Sequence, residues 1–231
     1  FPLATPLEGL FGNARQAAVD DAILTVSSPC LLSGGNGEGK SLIARLLAGA
    51  LGFTGSISIG PEGATARARL MFQDVLSQTL MRLPEALGRS AGAVNRRRLL
   101  DIYQAIRQRL PQEVRDTALP APEMTAGVDG KPRPELITLK LLLSAARLSS
   151  TPGAIILDEP DWGLNRSAAI GLVGAVTAEA HKAGVPVVLI SHKPWWSTLA
   201  ASQVLVMKTA LGGASPDRVA FRLRLRRIEG E

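Results

Sequence analysis

A glycine-rich segment between two apolar ones restricts the fold of this chain more than any other feature. Residues 34–41 fit the pattern glycine, any four residues, Gly-Lys-Ser. A short strand candidate at residues 22–26 and then the apolar residues 30–32 precede this segment. Residues 42–51 carry apolar side chains at helical spacing up to Gly52, a residue suited to end a helix. A strand, a tight glycine-rich turn and a helix form the context in which such a loop binds phosphate groups.

The residue types of this loop fit phosphate chemistry. Glycines let successive backbone N–H groups approach an anion, Lys40 neutralises charge and Ser41 offers a hydroxyl to Mg²⁺. The positive end of the following helix points the same way. A glycine-rich turn that holds Lys-Ser by chance is the alternative, and the flanking strand and helix favour nucleotide binding. The predicted nucleotide-binding residues of the segment are Gly34, Gly35, Asn36, Gly37, Glu38, Gly39, Lys40, Ser41 and Leu42.

A second candidate lies at the end of an apolar run. Residues 154–157 read Ala-Ile-Ile-Leu, typical of a strand buried on both faces of a parallel sheet, and Asp158-Glu159 follow. With a phosphate loop upstream, Asp158 is predicted to hold Mg²⁺, and Glu159 to orient or deprotonate an attacking water. An acidic pair that caps a helix is the alternative.

The remaining pattern predicts an α/β fold. Helices are indicated over residues 99–110, over residues 136–148 and up to about residue 182. Strands are indicated at residues 22–26, 56–59, 185–190, 204–207 and 219–225, the last with alternating arginines.

Composition narrows the function classes. The chain has 231 residues and a net charge of +6. Ten arginines against five acids give residues 66–116 a charge of 10 − 5 = +5. A single cysteine excludes an intramolecular disulfide, and two histidines argue against a multi-histidine metal site. No run approaches 18 apolar residues, so we do not expect this chain to span a membrane.

With these motifs in this order, nearly the whole sequence resembles the nucleotide-binding domain of the ATP-binding cassette (ABC) ATPases. Residues 34–41 are similar to Walker A, residues 71–74 to the Q-loop, residues 155–159 to Walker B with the catalytic glutamate, and residues 190–192 to the switch-histidine loop. The resemblance implies ATP and Mg²⁺ as ligands. It also implies a mixed core sheet with flanking helices and antiparallel strands over residues 1–73 and 151–231, and a helical subdomain over residues 74–150.

The resemblance also assigns roles to single residues. Gln73 would sense Mg²⁺ and the attacking water, His192 would contact the γ-phosphate, and Phe11 would stack on adenine. The predicted catalytic residues are Glu159, His192 and Gln73, and the predicted metal ligands are Ser41, Gln73 and Asp158. Each role has a plainer alternative: Gln73 as a loop residue, His192 as a strand-end residue and Phe11 as part of the core.

The sequence departs from the family at the signature motif, Leu-Ser-Gly-Gly-Gln, whose position falls near residues 135–139. That segment reads Glu-Leu-Ile-Thr-Leu and holds no glycine. Leu136 and Ile137 are bulky, Glu135 would repel a phosphate, and only Thr138 offers a hydroxyl. The following D-loop reads Gly-Leu-Asn at residues 163–165, where the family usually ends in Asp. The chain is therefore predicted to bind ATP itself but to lack the usual group that completes a partner's site.

Three functions remain open at this point. The resemblance implies a cytosolic ATP-binding subunit of an ABC transporter. Such a subunit would pair with a second ABC subunit, identical or different, and reach the inner face of a membrane through a spanning partner on the helical subdomain. The charge and residues 96–98, all arginine, motivate a non-transport ABC ATPase acting on nucleic acid or the ribosome, although a solvated helix face explains those arginines equally. The third is an assembly subunit regulated by ATP with weak hydrolysis. Trp195-Trp196 match no nucleotide motif and indicate packing or a partner surface.

Overall fold

A computed structural model describes residues 5–6, 16–19, 27–51, 57, 59, 68–71, 96–117, 134–150, 152–210 and 220–228. The strands are β1 (Thr5–Pro6), β2 (Gln16–Val19), β3 (Cys30–Ser33), β4 (Ala68–Met71), β5 (Ala154–Asp158), β6 (Val187–Ile190), β7 (Ser202–Ala210) and β8 (Ala220–Ile228). The helices are α1 (Lys40–Leu47), α2 (Arg96–Arg109), α3 (Gln112–Thr117), α4 (Pro134–Ser149) and α5 (Arg166–Lys182), with a 3₁₀ helix at Pro194–Thr198.

The eight strands of the described residues form one mixed sheet in the order β1-β2-β8-β7-β3-β6-β5-β4. Strands β4, β5, β6, β3 and β7 run parallel, whereas β8 is antiparallel to β7 and β1 is antiparallel to β2. In register, Ile190 lies beside both Leu32 and Asp158. The carboxyl ends of β3, β5 and β6 therefore meet at one edge of the sheet, where ligands bind in open α/β sheets.

Helices cover both faces of the sheet. Helix α1 packs through Ile43 and Leu46 on the face that carries Leu32 and Ile156. Helices α2, α4 and α5 pack on the other face. Every residue of β5 is buried, as its uninterrupted apolar run predicts for a central strand.

Most predicted helices and strands are confirmed, but α1 ends sooner than its apolar stripe indicates. It ends at Leu47 and not near Gly52, because Gly49 adopts a left-handed φ of 67° and its N–H bonds the Leu46 carbonyl. Leu51 still packs against the core cluster, so the stripe continues after the helix has ended. Of the strand predicted at residues 56–59, the described part shows only an isolated bridge at Ile59.

The basic C-terminal strand is confirmed as amphipathic. Leu223 of β8 is fully buried, whereas Arg224 and Arg226 are exposed. The arginine-rich segment of residues 66–116 is predicted to be mainly helical, and α2 and α3 confirm this for residues 96–109 and 112–116. Residues 68–71 form strand β4 instead, and residues 66–67 and 72–95 lie outside the described residues. The strand predicted at residues 22–26 lies outside the described residues, and the division at residues 74–150 stays a prediction.

Candidate active site

The glycine-rich loop joins the end of β3 to the start of α1 and rests on β7 and β8. A Cβ added to Gly34, whose φ is 144°, would lie 2.7 Å from the Val206 carbonyl oxygen. A Cβ added to Gly39, whose φ is 96°, would lie 2.8 Å from Leu223 Cδ2. Both positions need a conformation, and an approach to neighbouring strands, that glycine alone allows easily.

The side chain of Lys40 fixes the conformation of this loop by hydrogen bonds to its main chain. It is buried, and its Nζ donates to the Gly34 and Gly35 carbonyl oxygens at 2.9 and 2.8 Å. Gly35, Asn36 and Gly37 are exposed at the top of the loop. Because Gly39 offers no side-chain cap, the first N–H groups of α1 remain open to an anion.

Two side chains of the predicted binding segment point elsewhere. The Glu38 carboxylate accepts a hydrogen bond from the Lys208 backbone N–H, which ties the loop to β7. Leu42 is half-buried and packs against the core cluster that contains Ile43. Any contact of these two residues with a nucleotide therefore has to come from their main chain.

Asp158 and Ser41 meet at the carboxyl end of β5. The Ser41 hydroxyl donates to Asp158 Oδ1 at 3.4 Å. Burial raises the pKa of Asp158, and the charge of Glu159 acts in the same direction, while the Ser41 hydrogen bond, Arg45 and Lys40 oppose the increase. A buried carboxylate beside a hydroxyl is the hard-oxygen donor set that Mg²⁺ prefers, so these two side chains fit the predicted ion.

Glu159 has the most constrained geometry in the site. Its φ of 45° is left-handed, a conformation that is unfavourable for a residue with a side chain. His192 Nδ1 lies 2.9 Å from its Oε1, and the Ser191 hydroxyl donates to its Oε2 at 3.0 Å. The side chain that caps α5 is Asn165, which accepts from the Ala168 N–H at 2.8 Å. The helix-capping alternative for the acidic pair is therefore wrong.

Ser191 is a site residue that the sequence pattern did not single out. The available signal was its place at the end of β6 beside His192, since strand ends at this edge converge on Asp158 and Glu159. A cavity of about 330 Å³ opens between the start of the phosphate loop and this strand end. Residues from both sides line it, including Ser33, Gly34, Ser191, His192, Lys193 and Gln203.

The degenerate signature segment lies inside α4. Ile137, Thr138 and Leu139 are buried, and the exposed fraction of Thr138 is 0%. The one hydroxyl that the sequence offered at this position is therefore enclosed. Gln73 and Phe11 lie outside the described residues, so their roles in metal binding, catalysis and adenine stacking stay predictions.

Of the three tryptophans, one is buried in the core and the other two are at least partly exposed. Trp196 is fully buried and donates from Nε1 to Asp161 Oδ1 at 3.2 Å, so the packing interpretation is confirmed for it. Trp195 is half-buried, with the Arg166 and Lys193 cations each 5.5 Å from its ring centroid. Trp162 is exposed. Among the described helices, none combines the length and apolar character needed to cross a membrane.

Comparison with known proteins shows similarity through structure only. No family model and no curated protein matches the sequence. An ATP-binding subunit of an ABC transporter aligns with a TM-score of 0.54 and 18% identity, over 95% of this chain and 88% of that one. The cbiO1 protein from Clostridium perfringens, part of the ABC transporter complex cbiONQ, aligns with a TM-score of 0.57 and 17% identity, over 94% and 86%. A putative cobalt transport ATP-binding protein, cbiO-2, aligns with a TM-score of 0.50 and 15% identity, over 95% and 78%. At such identities the likeness is one of fold.

Proposed function

We propose that this chain, which has the fold of the ATP-binding subunits of ABC transporters, binds Mg-ATP and hydrolyses it to drive conformational work in such a transporter. One observation carries the proposal: at a single sheet edge, Glu159 stands beside Asp158 and is held by Ser191 and His192. The phosphate loop ends at the same edge, since Ser41 contacts Asp158.

The phosphate loop performs the binding. Exposed main-chain N–H groups at the top of the loop and the start of α1 receive the β- and γ-phosphates, and Lys40 supplies a positive charge beneath them. Ser41 and Asp158 would hold Mg²⁺, which neutralises charge on the phosphate oxygens when bound. Burial makes the ionised form of Asp158 unfavourable when no cation is beside it, and the same burial raises the pKa of this side chain.

Glu159 performs the proton transfer. Water attacks the γ-phosphorus, the bond from that phosphorus to the ADP oxygen breaks, and the Glu159 carboxylate accepts the proton of the water. Because an ionised carboxylate only accepts hydrogen bonds, the Nδ1 atom of His192 carries a proton in their 2.9 Å contact. Ser191 and His192 thus fix one rotamer of Glu159 by holding both of its oxygens.

The buried segment of α4 favours an asymmetric assembly. With Ile137, Thr138 and Leu139 enclosed, a second copy of this chain would gain little from them at its own nucleotide. We propose that a different ABC subunit with an intact signature completes this chain's site, and that a membrane-spanning partner docks on the helical subdomain. The cbiO1 protein, described as part of the cbiONQ complex, supports partnership with transporter components. The chain would then act at the inner face of a membrane.

Replacement of Glu159 tests the hydrolytic role. We expect Glu159→Gln to bind Mg-ATP as the unaltered protein does and to lose at least about 100-fold in turnover, because the amide cannot accept the proton. Glu113→Gln, on the exposed surface of α3, is the matched control and should turn over normally. Full turnover by the Glu159 variant would refute the assignment.

A concentration series tests the asymmetric assembly. We expect the turnover per chain of the purified protein to stay low as its concentration rises, because a second copy adds no signature. Fast turnover that increases with self-association would contradict the asymmetric pair and leave the hydrolytic role intact.

A further inference from the structure

A lysine is buried where the pattern of α4 gave no reason to place a charge. Lys140 has an exposed fraction of 0%. Its Nζ donates to the Pro160 carbonyl oxygen at 2.6 Å and to the Trp162 carbonyl oxygen at 2.9 Å. Burying an ammonium group costs free energy unless the group is paired and hydrogen-bonded. The two hydrogen bonds of Lys140 offset part of that cost.

The two carbonyl groups belong to the turn that begins at Glu159. The Trp162 N–H donates to the Glu159 carbonyl oxygen at 3.0 Å, which closes a four-residue turn. Lys140 donates hydrogen bonds to the carbonyl groups of the second and fourth residues of this turn. The backbone on the carboxyl side of Glu159 is therefore fixed by a side chain from another element.

Asp161, the third residue of the turn, joins the same network. Its Oδ1 accepts from Trp196 Nε1 at 3.2 Å and lies 3.4 Å from the Ser191 hydroxyl, which also donates to Glu159. Asp161 is also the negative charge that acts on Lys140. Polar contacts thus run from α4 through the turn to the carboxylate of Glu159.

The left-handed φ of Glu159 needs such support. A conformation of this kind persists only where the surrounding structure over-determines it. On the amino side, the Glu159 N–H bonds the Ile190 carbonyl oxygen at 2.8 Å. On the carboxyl side, the Lys140 contacts supply the second constraint.

We propose that Lys140 is a positioning residue that holds the turn of residues 159–162 and thereby sets the Glu159 carboxylate for proton transfer. This inference rests on the hydrolytic function proposed above. Lys140 touches neither the nucleotide nor the reacting atoms in this scheme, and it acts only through the backbone of the turn and through Asp161.

Loss of this lysine would act on the turn. Burial lowers the pKa of Lys140 to about 8, against the opposing effect of Asp161, so the fold disfavours its charged form. Removing one partner of a buried polar network leaves the other partners unsatisfied, which here are the Pro160 and Trp162 carbonyl oxygens and Asp161. An apolar residue at this position would therefore release the backbone of the turn at Glu159.

Lys140→Met, which keeps the length of the side chain and removes the charge, is the test. We expect turnover to fall about 10- to 100-fold, because small displacements of a reacting group are costly. ATP affinity should stay within about 2-fold, because the phosphate loop is unchanged, and the urea midpoint should fall only modestly, because two buried carbonyl oxygens lose their donor. The backbone N–H of Trp162, which bonds the Glu159 carbonyl oxygen, should exchange its hydrogen with solvent faster. Lys182→Met, on an exposed lysine at the end of α5, is the matched control and should change none of these quantities.

Each other outcome overturns the inference. Turnover within 2-fold of the unaltered protein would do so, and so would a parallel loss of affinity, turnover and urea midpoint, which indicates a merely structural role. If the unaltered protein lacks even the low turnover expected of the isolated chain, the proposed function fails, whereas unchanged hydrogen exchange of the Trp162 N–H in Lys140→Met separately refutes the restraint on the turn. Should that variant not fold, ¹⁵N NMR of the lysine ammonium groups in the unaltered protein decides: we expect a slowly exchanging signal from Lys140, and its absence overturns the inference.

Discussion

Two glycines on α5 allow the packing of the helical region to be measured with one substitution. A Cβ added to Gly171 would lie 2.5 Å from Pro111 Cδ and 2.9 Å from Pro111 Cγ, whereas a Cβ added to Gly174 meets no atom within 4 Å. Both positions gain helix propensity on replacement by alanine, about 0.8–1 kcal/mol each. Only the Gly171 variant also overpacks against a rigid proline ring, at about 1–3 kcal/mol.

The two effects predict different outcomes for the same chemical change three residues apart. We expect Gly174→Ala to raise the free energy of unfolding by about 0.5–1 kcal/mol. Gly171→Ala should lower it by up to about 2 kcal/mol, so that the variants differ by about 1–3 kcal/mol. In thermal unfolding this difference corresponds to roughly 2–12 °C for a chain of this size.

Urea unfolding of the two variants beside the unaltered protein measures these values directly. The slope of free energy against urea should stay the same, because neither change alters the surface exposed on unfolding. Equal stabilisation by both alanines would refute the reasoning, since it would mean that Pro111 does not pack against α5 at Gly171. The result would also question the placement of α2 and α3, which Pro111 joins.

Two further predictions concern α5 and Lys140. Asn165→Ala should lower the free energy of unfolding by about 1 kcal/mol, because the Ala168 N–H loses its acceptor. Asn165→Asp should keep this helix cap. Equal urea midpoints for the two variants would contradict the prediction. Lys140 has a pKa of about 8 in the folded protein against an ordinary value of 10.5, so between these values the unfolded chain binds a proton that the native chain lacks. Stability from this group should therefore rise with pH above about 8, by up to roughly 1.4 kcal/mol per pH unit, and stay constant below it. Urea unfolding of the unaltered protein and Lys140→Met at pH 7.5, 8.5 and 9.5 measures the difference; parallel pH profiles would show that burial does not shift the pKa of Lys140.

The parts of the site that are formed by residues close together in sequence were predictable from the sequence. The loop at residues 34–41 and the acids at the carboxyl end of β5 are short patterns with direct chemical meaning, and the sheet brings them together. The hydroxyl of Ser191 on Glu159 was not predictable in the same way, because it depends on the alignment of β5 with β6, 32 residues apart.

Burial of polar side chains was the harder quantity to predict. Lys140 and Thr138 follow a pattern that does not distinguish an exposed helix face from one enclosed by α2, α5 and the turn after β5. Only the packing of elements distant in sequence decides between the two. The early end of α1 has a local cause, not a distant one. The left-handed conformation of Gly49 ends the helix, although the apolar side chains keep their helical spacing after it.

The dependence of the phosphate loop on β7 and β8 has a consequence for the order in which the chain folds. The loop is local in sequence, yet Gly34 lies against Val206, Gly39 against Leu223, and Glu38 bonds the main chain of Lys208. These partners are about 170 to 185 residues away, so a chain emerging from the ribosome cannot complete this loop until β8 has been made. ATP, the proposed ligand, would bind only the native state and would then stabilise the chain only at the last step of folding.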